Sequence, residues 1–194
     1  MSSFRSHIRK PWLWAAGLLG AGWLFGLVTF VAADGHFAGT LPRRRAEPEG
    51  LHNLALWDLG PTIRASSYFA DWFNHHHPFF MVDGREHPDV VEKWASDVRD
   101  RHPWVEILWR EEHTLERVVI HHAGSIENAA FTIRRYSVTC LTTSGVGPRV
   151  DIDDNEEPVA THELVCPHAR GIRIDCTRNG DDIVRLYEVE AWGR

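Results

Sequence analysis

From Trp57 onward the chain is a succession of short runs in which apolar and polar residues alternate: TIRASSY, WVEILW, LERVVIHH, FTIRRYSVTCLT, ATHELVC, GIRIDC and VRLYEVEAW. In Ile133-Arg134-Arg135-Tyr136-Ser137-Val138, for example, apolar and polar residues exchange sides. A period of two sends successive side chains to opposite faces of a strand. Runs of this kind, rich in Val, Ile, Tyr and Trp and separated by turn residues, predict an antiparallel sandwich or barrel. No long stretch of helical period follows Trp57, and only residues 88–101 read as a short helix.

The N-terminal part follows a different rule. Residues 11–33 carry no charge and are mostly large and apolar, long enough to cross a hydrocarbon core of about 30 Å as one helix. Arg5, Arg9 and Lys10 stand before this run and Asp34 after it, so the excess of positive charge places residues 1–10 in the cytoplasm and the body in the periplasm or outside the cell. Arg43, Arg44 and Arg45 weigh against that orientation. A cleaved signal peptide, cut at Asp34 after Val31 and Ala33, is the competing reading, but the apolar run is longer than a signal core. Gly22 and Gly26 form a GxxxG that suits close packing against another helix within a bilayer. Residues 34–56, with Gly, Pro and charge but no apolar period, read as a stalk, leaving 57–194 as the folded body.

Charge excludes one class of partner. The chain has 194 residues, 21 basic and 27 acidic; six of the former and three of the latter fall at or before Gly50, so the rest carries a net charge of −9. Such a body repels phosphate backbones, and nucleic acid is not expected as a partner. Cys140, Cys166 and Cys176 are odd in number and lack CxxC spacing, which argues against zinc or a disulfide scaffold. Three buried thiols and a single bridge between two of the cysteines both fit the sequence.

The order of particular residues resembles a known family. Gly60 with Ile63-Arg64-Ala65-Ser66-Ser67 is followed by Val82-Asp83-Gly84, Trp94, Pro103-Trp104-Val105-Glu106-Ile107, and Leu115 with Arg117-Val118-Val119-Ile120. Then come Tyr136-Ser137-Val138, Ala169-Arg170-Gly171-Ile172-Arg173-Ile174, and Leu186-Tyr187-Glu188-Val189-Glu190 ahead of Trp192-Gly193. This series, over about residues 57–194, resembles the discoidin, or coagulation-factor C-terminal (F5/8 type C), domains of the galactose-binding-like superfamily. The resemblance implies a mainly β protein, an eight-stranded antiparallel jelly-roll β-sandwich with ligand-binding loops at one end, here preceded by one transmembrane helix. Trp104 and Ile107 are then expected to anchor the core.

It also locates candidate residues. Tyr68, Phe69, Trp72, Phe73, His75, His76, His77, Phe79 and Phe80 fall in a loop at the binding end, where aromatics stack on sugars, enter a membrane or anchor a protein interface. Trp72 and Phe73 are the expected tip residues; the alternative is that the aromatics fold back to cap the sandwich. Three adjacent histidines point in different directions in an extended loop and make a poor metal set. In relatives a structural calcium lies beside the Asp-Gly turn and a C-terminal glutamate, here Asp83 and Glu188, but Arg85-Glu86-His87-Pro88 departs from the usual short polar turn. The acidic run from Asp151 to Glu157 lacks the glycine of an EF-hand and reads as a solvated loop. No nucleophile elbow, phosphate-binding glycine loop or HExxH is present, so the expected role is binding, without catalysis and without a cofactor other than that calcium.

Two roles fit. In the one favoured by the anchor and its Gly22/Gly26 face, the chain is an accessory subunit whose sandwich docks onto other membrane proteins of a respiratory, photosynthetic or envelope-building complex. In the alternative it is a membrane-tethered, lectin-like module for a glycan of the cell envelope.

Overall fold

A computed structural model describes residues 48, 50–85, 92–180 and 182–194. The expected span at 11–33, with Gly22 and Gly26, lies outside the described residues, as do the tail 1–10 and most of the stalk. Among the described residues no helix is long and apolar enough to cross a membrane.

Among the described residues the body is made of eight antiparallel strands: β1 (His52–Asn53), β2 (Thr62–Ala65), β3 (Trp94–Ala95), β4 (Trp104–His122), β5 (Arg135–Thr142), β6 (Gly145–Ile152), β7 (Val159–Thr177) and β8 (Arg185–Gly193). They hydrogen-bond in the order β1-β8-β4-β7-β5-β6, with β2 added to β4 and β3 to β8. Two strands of 19 residues, β4 and β7, turn this sheet into two layers. Their first pairing runs from Trp104 opposite Asp175 to Leu108 opposite Gly171; after irregular register it resumes from Arg117 opposite Glu163 to His121 opposite Val159. The first half of β4 carries β2 and the second half carries β8. One layer is therefore β2-β4-β7-β5-β6 and the other β1-β8-β4-β7.

The corner has local causes. Pro167 supplies no N–H to the ladder, and His168 adopts a positive φ of 58°. A side chain at position 171 would place its Cβ 2.5 Å from the Ile107 carbonyl oxygen, so the close approach of the two long strands requires Gly171. Between the layers lie Val105, Ile107, Leu115, Val118 and Ile120 of β4, Val138 of β5, Ile172 and Ile174 of β7, and Leu186 and Val189 of β8, with Trp94, Met81 and Val82 closing the edge. Burying each such side chain contributes roughly 1.5–3 kcal/mol.

Several expectations are corrected. The sandwich begins before Trp57: β1 pairs with the end of β8, and Leu51, Leu54, Ala55 and Leu56 are buried. Within residues 88–101, the described part contains β3 paired with β8 and no helix. Trp104 does not anchor the core. It shares the outward face of β4 with Glu106, because alternation that buries Val105 and Ile107 turns both neighbours out. There the Arg173 guanidinium stacks 4.2 Å over the Trp104 ring and bonds Glu106 at 2.8 Å. Of the two readings open for the cysteines, the single bridge is the one found: Cys140 and Cys166 form a disulfide across a separation of 26 residues, while Cys176 is a buried free thiol whose pKa burial raises.

Candidate functional site

The aromatic loop leaves β2 at Ser66, whose N–H donates to the Trp104 carbonyl, and returns through β3. Its shape follows from consecutive tight turns. The Asn74 N–H donates to Asp71 O, the His77 N–H to Asn74 O and the Phe80 N–H to His77 O, the last opening a 3-10 turn at Pro78–Val82. Trp72 and Phe73 occupy the two central positions of the first turn, which is why they project: they are 94% and 73% exposed. Asn74 takes a positive φ of 61°, a conformation asparagine tolerates better than most residues.

Asp71 fixes the tip. One carboxylate oxygen accepts the His75 N–H at 2.8 Å and the other bonds His75 Nδ1 at 2.9 Å. Burial pushes the Asp71 carboxyl up, but the bonds and charge of His75 outweigh it and hold the group below its ordinary value. Phe73 stacks on the His75 ring with centroids 5.3 Å apart. The three histidines thus have three separate tasks. His75 supports Phe73. His76 lies edge-on to Phe69, and burial together with the Lys93 charge lowers its pKa. His77 caps the 3-10 turn, accepting the Phe79 N–H on Nδ1 at 3.2 Å. Among the described residues no three His, Cys, Asp or Glu side chains gather as a metal set.

The loop is pinned to the sandwich from inside. Buried Trp94 donates its indole N–H to Ser67 O, Phe69 N–H donates to Ala95 O, and Lys93 N–H to His75 O. Tyr68 and Phe69 are partly exposed beside the tip, and Tyr68 lies edge-on to His77. Phe79 and Phe80 stay half-buried at the foot of the loop, where Phe79 meets Trp57 edge-on at 4.6 Å. The aromatics therefore divide: Trp72 and Phe73 face solvent while Phe79 and Phe80 line a recess. Ala95 pairs with the first residue of β8 and the chain joins the sandwich opposite the last, so the loop and that junction are separated by the length of β8, about 26 Å.

Asp83 and Glu188 do come together around the Gly84 turn, whose N–H donates to Glu188 Oε1 at 3.2 Å. Asp83 is spent locally. Its Oδ1 accepts the Arg85 N–H at 2.9 Å, with Arg85 Nε 4.0 Å from the other oxygen, and burial raises its pKa to about 6. These two carboxylates are part of the six to eight oxygens that calcium takes, and the Arg85 guanidinium beside Asp83 opposes a cation there.

Sequence reasoning missed a second concavity, a groove of about 460 Å³ on the outer face of β5, β6 and β7. Ser137 lies at its floor, directly between Asp151 and Asp175 on the flanking strands, and Arg149 and Arg173 pair with those two acids. Further along the acidic run, Arg134 bonds Asp154 and Glu156.

No protein-family model and no curated protein matches the sequence. Solved structures do. A fucose-binding module of Streptococcus pneumoniae is similar with a TM-score of 0.61 at 16% identity, over 77% of this chain and 100% of its own. Chitosan-binding module 1 from a chitosanase/glucanase of Paenibacillus sp. IK-5 gives 0.58 at 20%, over 73% and 99%. An F5/8 type C domain from Bacteroides fragilis gives 0.55 at 11%, over 75% and 97%. The sandwich has the galactose-binding-like fold. At these identities the likeness establishes the fold of the galactose-binding-like body and leaves function to the residues of the site.

Proposed function

We propose that this chain is a non-catalytic glycan-binding module, tethered to a membrane by residues 11–33 and displayed outside the cytoplasm. The observation that carries the reading is the loop tip, where Trp72 and Phe73 stand in solvent on a turn already fixed by Asp71 and His75. An aromatic face held rigid before binding loses little freedom when a sugar ring stacks on it, and the flanking amides and imidazoles offer partners to hydroxyls. Two of the structural neighbours, named as fucose- and chitosan-binding modules, lend the same support. The Cys140–Cys166 disulfide favours an oxidising compartment, in keeping with a body outside the cytoplasm. The docking-subunit reading draws on Gly22 and Gly26, which lie outside the described residues, and has less behind it.

Calorimetry of the full chain in mild detergent against chitosan oligosaccharides and fucosylated oligosaccharides tests this. Binding that Trp72→Ala weakens by about tenfold or more supports the reading. Heat changes no larger than those of buffer, with stoichiometric protein companions on purification from native membranes, would return the subunit reading.

A further inference from the structure

A separate pocket of about 300 Å³ lies at the corner of β4. β2 begins at Thr62 opposite Leu108 and ends at Ala65, so it stands between this pocket and the aromatic loop that leaves after it. Three segments build the pocket. Leu54 follows β1, Leu59 to Pro61 precede β2, and Trp109, Arg110, Glu111 and His113 belong to the corner itself. The 3-10 turn at Trp57–Leu59 closes on Gly60, whose N–H donates to Trp57 O at 2.9 Å, and this sets one wall. Leu59 on that wall is 60% exposed.

Trp109 continues the inward-facing series of Val105 and Ile107 and is 7% exposed, with His113 edge-on to its ring at 5.9 Å. Its indole N–H is buried and has no acceptor among the described residues. The other two fully enclosed indoles are paired: Trp94 donates to Ser67 O at 2.9 Å and Trp192 to Glu190 Oε2 at 2.7 Å. An interior donor left unmade is costly and rare, so the exception marks a place where an acceptor is missing. The exposed side chains of Arg110 and Glu111 make no hydrogen bond or ion pair among the described residues, with each other or with anything else. Their neighbour Glu112 bonds both Thr143 and His168.

We infer that this pocket binds a small zwitterion with an apolar body, of the class of the apolar α-amino acids. The inference is independent of the glycan reading. Its volume is at the bottom of the range for small-molecule sites and holds one such molecule. The apolar body lies against Leu54, Leu59, Pro61 and the Trp109 ring, the carboxylate takes the Arg110 guanidinium and the indole N–H, and Glu111 holds the ammonium. A fatty acid would set its carboxylate beside Glu111 with nothing to offset the repulsion, and a neutral sugar would answer neither charge.

Calorimetry on the full chain in mild detergent tests this with leucine and phenylalanine, beside their N-acetyl derivatives, which lack the ammonium, and their amides, which lack the carboxylate. At least one of the two amino acids should bind with a Kd between about 0.01 and 1 mM, and both of its derivatives about tenfold more weakly. Trp109→Phe keeps a ring and removes the N–H, while Arg110→Gln and Glu111→Gln each remove one exposed charge; each should weaken the amino acid about fivefold or more. Glu111→Gln should not weaken the N-acetyl derivative further, nor Arg110→Gln the amide, because the charge each residue would meet is already gone. Trp72→Ala should bind the amino acid as the parent does. No binding of either amino acid up to about 10 mM, or binding that Arg110→Gln and Glu111→Gln leave unchanged, would overturn the inference. A parent that binds an amino acid and no saccharide would sink the glycan reading and leave this one standing.

Discussion

His122 is fully buried at the end of β4, with Nε2 3.3 Å from the Asn155 side-chain nitrogen. His121 and His162 crowd it with like charge whenever they are protonated, and Tyr136 packs on its ring. Burial, followed by those two imidazoles, drives its pKa from 6.5 to about 3. The unfolded chain therefore binds a proton at pH values where the folded one does not, and stability that is fully present above pH 6.5 drains away as the pH falls toward 3. At pH 5 this amounts to about 2 kcal/mol relative to pH 7, and any folded value below about 4 gives the same figure. His162, lowered by burial, adds to the loss. Asp83 opposes it: with a folded pKa of about 6 against 3.8, it favours the folded state as the pH falls through 6. The total pH dependence is thus a partial cancellation, and the informative quantity is a difference. His122→Gln removes one titration and leaves Asp83 alone. Urea unfolding of parent and variant, followed by near-ultraviolet circular dichroism at pH 7 and pH 5, should show the variant gaining about 2 kcal/mol on the parent at the lower pH. An unchanged difference between the two proteins at the two pH values would refute the assignment of a buried neutral imidazole.

Other consequences are simpler. Replacing Cys140 and Cys166 together by alanine opens a loop spanning 26 residues and should lower stability by about 3.5 kcal/mol on the chain-entropy account, read as a shifted urea midpoint. Asn155→Ala should cost about 2 kcal/mol in the same assay, since its amide bonds Ile133 O, Glu157 O and the Glu157 N–H from a buried position. Chelation by EDTA should leave the thermal midpoint unmoved, because Arg85 stands beside Asp83; a fall of several degrees reversed by calcium would contradict that.

Much of this architecture is written in local pattern, and what is not has a physical reason. The alternation in WVEILW and LERVVIHH marks two strands correctly, yet they are halves of β4; the charged Arg110-Glu111-Glu112-His113 between them looks like a turn and is a solvent-facing corner. The same holds for Pro167-His168 within β7. β6 carries two glycines and a proline, residues that depress strand propensity, so neither it nor the groove it borders is visible in the sequence. The resemblance puts Trp104 in the core, whereas the register of its neighbours on β4 places it outside. At the candidate site the cluster of aromatics is plain from composition alone. Its division into an exposed tip and a recess is not, because it depends on Asp71 reaching His75 and on Trp57, a residue distant in sequence, meeting Phe79. Long-range polar contacts such as His122 with Asn155 leave no periodic trace at all.

The most direct test of the account is a glycan array probed with the full chain in mild detergent, beside the Trp72→Ala/Phe73→Ala variant. The account predicts binding to a restricted group of glycans, lost in the double variant while its thermal midpoint is unchanged. An array on which the parent binds nothing, or on which the double variant binds as the parent does, would contradict it.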